Sequence, residues 1–118
     1  MKAIKILIVV SFLNLSLQAA SMKETALISS AGGAICKVYA EEIGGDAEAF
    51  SEMNILVLQI AEKMGYTSDF QSYQADVATL RNILQKKLLQ MHGSKLNVYN
   101  NWCIKLYNGF QDGLVKAQ

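Results

Sequence analysis

Hydrophobic residues recur along this chain at three- and four-residue steps in four blocks separated by glycine, and nowhere alternate with period two for long enough to argue for a strand. The first block opens at Ser21-Met22-Lys23-Glu24, a capping box in which the Ser hydroxyl and the Glu carboxylate satisfy free amides at a helix start. A helix from there to about Ile43 would place Leu27, Ile28, Ala31, Ile35, Val38 and Tyr39 on its inner face. Gly32-Gly33 falls in mid-run and costs ~1 kcal/mol per glycine relative to alanine, so it marks either a close helix contact or a kink. Gly44-Gly45 supplies a left-handed stop, and Asp46 the next N-cap. The second helix, to about Met64, carries Phe50, Met53, Val57, Ile60, Ala61 and Met64 in one stripe. Ile55, Leu56 and Leu58 widen that stripe so far that this helix is expected to be the most buried element.

Gly65 ends the second block, and Ser68-Asp69-Phe70-Gln71 reads as another capping box. From Asp69 to about Met91, Phe70, Tyr73, Val77, Leu80, Leu84, Leu88 and Met91 step along one face of a third helix. Its opposite side bears a second stripe, Gln71, Ala75, Ala78, Asn82 and Leu89, which is small or apolar rather than charged. Two readings are open: a second contact such as a partner subunit, or alanine serving as a surface helix former. His92-Gly93-Ser94 is the next break, and a fourth helix follows with Leu96, Tyr99, Cys103, Leu106, Phe110 and Leu114 facing inward. No proline interrupts any block. The expected fold is all-α, a small four-helix bundle with short loops and largely antiparallel neighbours.

The N-terminus changes the setting. Lys2 and Lys5 precede an apolar run from Ile6 to Leu17 that is short for a bilayer span of ~20 residues, and Ala19-Ala20-Ser21 suits a signal peptidase. Residues 1–20 are therefore expected to be a secretory signal peptide, cleaved after Ala19, Ala20 or Ser21; the competing reading is an uncleaved anchor. Residues 21–118 then form one domain in the periplasm, with no membrane attachment after cleavage. Without Lys2 and Lys5 the eleven basic residues fall to nine against ten acidic ones, so no basic field invites nucleic acid.

Export also bears on the two cysteines. Cys36 and Cys103 are expected to pair, joining the first and last helices and closing a loop of about 68 residues, worth ~4 kcal/mol in the chain-entropy model. The alternative is two free thiols; Cys-x-x-Cys redox chemistry is excluded by the spacing. Other chemistry is sparse. His92 is the only histidine and no metal or cofactor set is evident, so His92 reads as a helix-terminal cation. Glu41-Glu42, Asp46 with Glu48, and Lys86-Lys87 read as solvated surface, because sequence neighbours point to different sides of a helix. Trp102 is assigned to the core rather than to a surface anchor. No catalytic constellation emerges, and no enzyme activity is expected.

Ile35-Cys36-x-x-Tyr39, and further on Trp102-Cys103-Ile104-x-Leu106-Tyr107 with Leu114-Val115-Lys116 behind it, form an outline that resembles the periplasmic immunity proteins of type VI secretion peptidoglycan amidases, in particular the inhibitors of the fourth amidase family. The resemblance covers most of the mature chain in outline, with residue-level matches at Cys-Ile-x-Leu-Tyr and Leu-Val-Lys; the second helix and the acidic turn before it carry no matching motif. It implies an all-helical, disulfide-bonded homodimer that inserts a protruding loop into the cleft of an amidase effector. By position, the inserted loop would be Met91, His92, Gly93, Ser94 and Lys95, and the dimer or second contact Gln71, Ala75, Ala78 and Asn82. A second class of function fits the same size and disulfide: a periplasmic helical adaptor or pilotin-like chaperone of a secretion system, which would expose an apolar channel between helices rather than a polar tip.

Overall fold

A computed structural model describes residues 22–117; the signal peptide expected over residues 1–20 and the Ser21 cap lie outside the described residues. The described chain is a four-helix bundle. Helix α1 spans Met22–Ile43, α2 Ala47–Lys63 and α3 Phe70–His92. Helix α4 is continuous through three segments, Lys95–Val98, a π-helical turn Tyr99–Cys103, and Ile104–Ala117. Short connections, 44–46, 64–69 and 93–94, join successive helices. No strand occurs among the described residues.

The stops and caps lie close to where the glycines and short polar residues put them. Gly44, Gly65 and Gly93 all have positive φ, between 78° and 86°, the region where a Cβ is penalised. Asp46 accepts a hydrogen bond from the Ala49 N–H at 3.0 Å, and Ser94 one from the Asn97 N–H at 3.1 Å. At the start of α3 the cap is Asp69, which accepts from the Ser72 N–H at 3.1 Å. The box expected to open at Ser68 is thus displaced by one residue, because Asp69 holds the extended backbone that a cap needs.

Helix α1, not α2, is the most buried element. Eleven of its residues are buried against four of α2, because α1 packs against each of the other three helices while α2 and α3 pack far less closely against each other. Its two central glycines make this possible without a kink. A Cβ on Gly32 would stand 2.6 Å from Cη2 of Trp102 on α4, and one on Gly33 would run into the Asn54 amide on α2. Consecutive residues point about 100° apart around a helix, so each glycine admits a different neighbour.

Cys36, one turn beyond Gly32, is bonded to Cys103 with a Cα–Cα distance of 5.6 Å, and both residues are fully buried. Around this seam pack Tyr39, Phe50, Met53, Leu88, Val98, Trp102 and Leu106. Phe50 meets the rings of Tyr99 and Tyr107 edge-on, at centroid distances of 6.0 and 5.7 Å. A smaller cluster, Ala26, Ala61 and Tyr73, closes the other end of α1, where the Tyr73 and Ser30 hydroxyls lie 3.0 Å apart.

Six positions expected to face inward are exposed: Val38, Ile55, Met64, Phe70, Met91 and Leu96. Phe70 and Met91 sit in the first and last turns of α3, and Met64 caps α2, where a stripe runs past its neighbours. Leu96 has a different cause. The π turn, in which the Ile104 N–H bonds back to the Tyr99 carbonyl, adds about one residue per turn and rotates the segment before it by about 100°. Val98 takes the inward position and Leu96 is left 51% exposed. The side chain of Leu114 lies outside the described residues.

These contacts separate the two glycines. Gly32→Ala must move the rigid Trp102 ring in a closed seam and is expected to destabilise the protein by about 1–3 kcal/mol. Gly33→Ala must turn the end of the Asn54 side chain and ease back the Met53 methyl, 3.0 Å from the added Cβ, but both are flexible side-chain ends and helix propensity is gained, so it should cost less. Urea unfolding of both variants checks this; equal stability, or the reverse order, would contradict the packing described.

Candidate protein-binding surfaces

The segment 91–95 forms a tight turn at the end of the molecule where α1 also finishes. Gly93 donates its N–H to the Leu89 carbonyl at 2.8 Å, closing α3, and Ser94 at once caps α4. The Asn97 side-chain amide donates to the His92 carbonyl at 3.0 Å, satisfying a carbonyl that the helix end leaves free. Lys95 reaches across to α1: its ammonium lies 2.8 Å from the Glu42 carboxylate and 5.6 Å from the Tyr39 ring centre. Met91, Gly93, Ser94 and Lys95 are exposed, while His92 is half-buried. The five residues therefore share one small surface, and the turn is preformed rather than long.

The next connection joins the same end. Tyr99 on α4 accepts a hydrogen bond from the Asp46 N–H at 3.1 Å, and Gly45 lies so close that a Cβ there would stand 2.7 Å from the Tyr99 hydroxyl. The α1–α2 turn is thereby seated on α4, beside the α3–α4 turn.

A second surface lies between α2 and α3. Since these helices pack far less closely against each other than against α1, part of one α1 face stays open, and a groove of about 380 Å³ runs over Ser30 and Ala34. Asn54 and Leu58 of α2 form one wall; Phe70, Tyr73, Val77 and Arg81 of α3 belong to the other. The outer α3 stripe is split by this geometry. Ala78 lines the groove, whereas Gln71, Ala75 and Asn82 face solvent. The periodic pattern of α3 did not separate the groove from the outer face, since both carry small and apolar residues.

Among the described residues, no three His, Cys, Asp or Glu side chains gather as a metal site would require, and no helix is long and apolar enough to cross a membrane. His92 stands apart from any acid or nucleophile within hydrogen-bonding distance, its Nε2 buried without a partner among the described residues. A comparison with protein-family models, with curated proteins and with solved structures finds no match for this chain.

Electrostatics single out Lys95. Its hydrogen bond to Glu42, and then the charge of that carboxylate, hold the ammonium above its ordinary pKa. A folded-state value above the unfolded one means that the contribution of this exposed pair is fully present below the ordinary lysine value of about 10.4 and fades as the pH rises through the raised value. Titration of the Lys95 side chain by NMR should show the raised midpoint, and Glu42→Gln should lower it. An unchanged midpoint in that variant would mean that the pair does not tether the turn.

Proposed function

We propose that this chain is a periplasmic immunity protein that neutralises a type VI secretion peptidoglycan amidase by docking against it and occluding its active-site cleft. The observation that carries the reading is the preformed α3–α4 turn, held by the Asn97–His92 hydrogen bond and the Lys95–Glu42 pair above a disulfide-bonded seam. An inhibitor of this kind needs no chemistry of its own. It needs a surface that loses little conformational freedom on binding, and a turn stapled in place on a bundle meets that need. The outline around Cys36 and Trp102-Cys103-Ile104-x-Leu106-Tyr107 supports the same reading by resemblance. The signal peptide would deliver the protein to the compartment in which the amidase acts, and the exposed α3 positions Gln71, Ala75 and Asn82 are available for a second copy.

A second reading, a periplasmic adaptor or pilotin-like chaperone, is favoured by one observation: the open α2–α3 groove, a surface suited to a helix of another protein.

A periplasmic protection assay tests the primary reading. Cells exporting a fourth-family amidase to the periplasm should be rescued from lysis by the full chain and not by a chain lacking residues 1–20. Alanine at His92, Ser94 and Lys95 together should weaken inhibition of the purified amidase about tenfold or more, with the fold retained by circular dichroism. Lysis unchanged across several amidases of the family would refute the immunity reading. Unchanged inhibition by the triple variant would move the contact away from this turn.

A further inference from the structure

Ser30 and Ala34 of α1 are half-buried between α2 and α3 and form the floor of the groove. Along α3 the lining runs from Phe70 to Arg81, a length of about 16 Å. A volume of about 380 Å³ falls in the range of sites that hold small molecules rather than a few waters. The two ends differ. Leu58 and Val77 lead down to the cluster of Ala26, Ala61 and Tyr73, whereas Asn54 and Arg81 stand toward the other end, on opposite walls.

The polar groups that reach this space are donors. Asn54 turns its side-chain oxygen inward, where Oδ1 is buried against Gly33 without a partner, so the amide N–H₂ is the polar end left to the groove. The Ser30 and Tyr73 hydroxyls lie 3.0 Å apart; one donates to the other, and the second keeps a hydrogen to give. Arg81, the only arginine in the chain, is exposed on the α3 wall and has no ion-pair partner among the described residues. No acidic residue lines the groove, and Glu41 of α1 is two turns beyond Ala34, about 10 Å along the helix. A guanidinium facing an amide N–H₂ is matched by a carboxylate, whose two oxygens accept in parallel. The apolar stretch over Leu58, Val77 and Phe70 is matched by an alkyl chain attached to it.

We propose that the α2–α3 groove binds a medium-chain aliphatic carboxylate, its head held by Arg81 and the Asn54 amide and its chain laid over Ala34 toward Leu58, Val77 and Phe70. The exposed guanidinium keeps the head near solvent, while the chain gains from burial. This places a small molecule where the adaptor reading places a helix. It does not rest on the immunity reading, which concerns the α3–α4 turn.

The test titrates sodium octanoate and its neutral counterpart octanamide, each below its aggregation concentration, into the ¹⁵N-labelled, processed chain. Octanoate should bind with a dissociation constant on the order of 1 mM or below, about tenfold more tightly than octanamide, and should shift the amide signals of Ala34, Asn54 and Val77. Arg81→Gln, at an exposed position, should bring octanoate down to the affinity of octanamide and leave octanamide unchanged. Ala78→Phe, which fills the groove from a half-buried helical position, should abolish binding of both, with the fold retained by circular dichroism. Equal affinity for the two compounds, no effect of Arg81→Gln, or shifts confined to the apolar hollow beside Met22 and Phe110 would overturn the proposal. So would a stapled amphipathic peptide of about 15 residues that occupies the groove while octanoate does not, because the occupant would then be a helix. The amidase assay reads the turn and the octanoate titration reads the groove, so failure of one is distinguishable from failure of the other.

Discussion

The seam between α1 and α4 is the constraint on which the other contacts depend. Gly32 lets the Trp102 ring lie directly on the α1 backbone, and Cys36 fixes the approach one turn later by its bond to Cys103. In a domain with a core of this size, burial of one tryptophan and closure of a 67-residue separation are large contributions, the second about 4 kcal/mol in the chain-entropy account. With α4 held against one side of α1, Phe50 has the Tyr99 and Tyr107 rings to pack against, and α2 is positioned in turn. The π turn belongs to the same constraint. Its extra residue per turn brings Val98, Tyr99, Trp102 and Cys103 into the seam together, where a regular α-helix would have brought Leu96 instead of Val98.

Much of this was legible in the sequence because it is local. Three glycines needing positive φ, and the caps Asp46 and Ser94, mark the helix ends through backbone chemistry that acts within four residues; at the start of α3 the same chemistry pointed to Ser68, one residue short of the actual cap Asp69. The pairing of the two cysteines and the burial of Trp102 were also legible, one from the presence of two sulfurs only, the other from size and apolarity. What the pattern hid is tertiary. Gly32-Gly33 counts against a helix locally and yet permits the most buried helix in the fold. Apolar Ile55 and Met64 suggested a deeply buried α2, but that helix has neighbours on one side only, so both are exposed. The π turn has no sequence signature; it is selected by what Trp102 and Cys103 must reach. The groove was hidden for the same reason, since periodicity shows that α3 has two faces without showing that α2 stands away from it.

The two candidate surfaces differ in how they are supported. The α3–α4 turn is a rigid convex feature, made by caps and tethered by an exposed ion pair whose contribution salt will screen. The α2–α3 groove is concave and lined by apolar and polar side chains alike, and its shape follows from the central position of α1 rather than from any residue in the groove itself. Both rest on the same scaffold: the disulfide holds α4 at the turn, and α1 forms the floor of the groove. Loss of the seam would therefore be felt at both surfaces through stability, without either cysteine touching a partner.

Native-state hydrogen exchange on the oxidised and the reduced protein tests the place of this seam most directly. If the seam supports the whole bundle, reduction should lower protection together in α1, α2 and α4, by a factor of about a thousand at the slowest amides, or unfold the chain outright. Protection lost only around Tyr99–Cys103, with the rest of α1 and α4 unchanged, would show that the fold stands without the staple and would contradict the account.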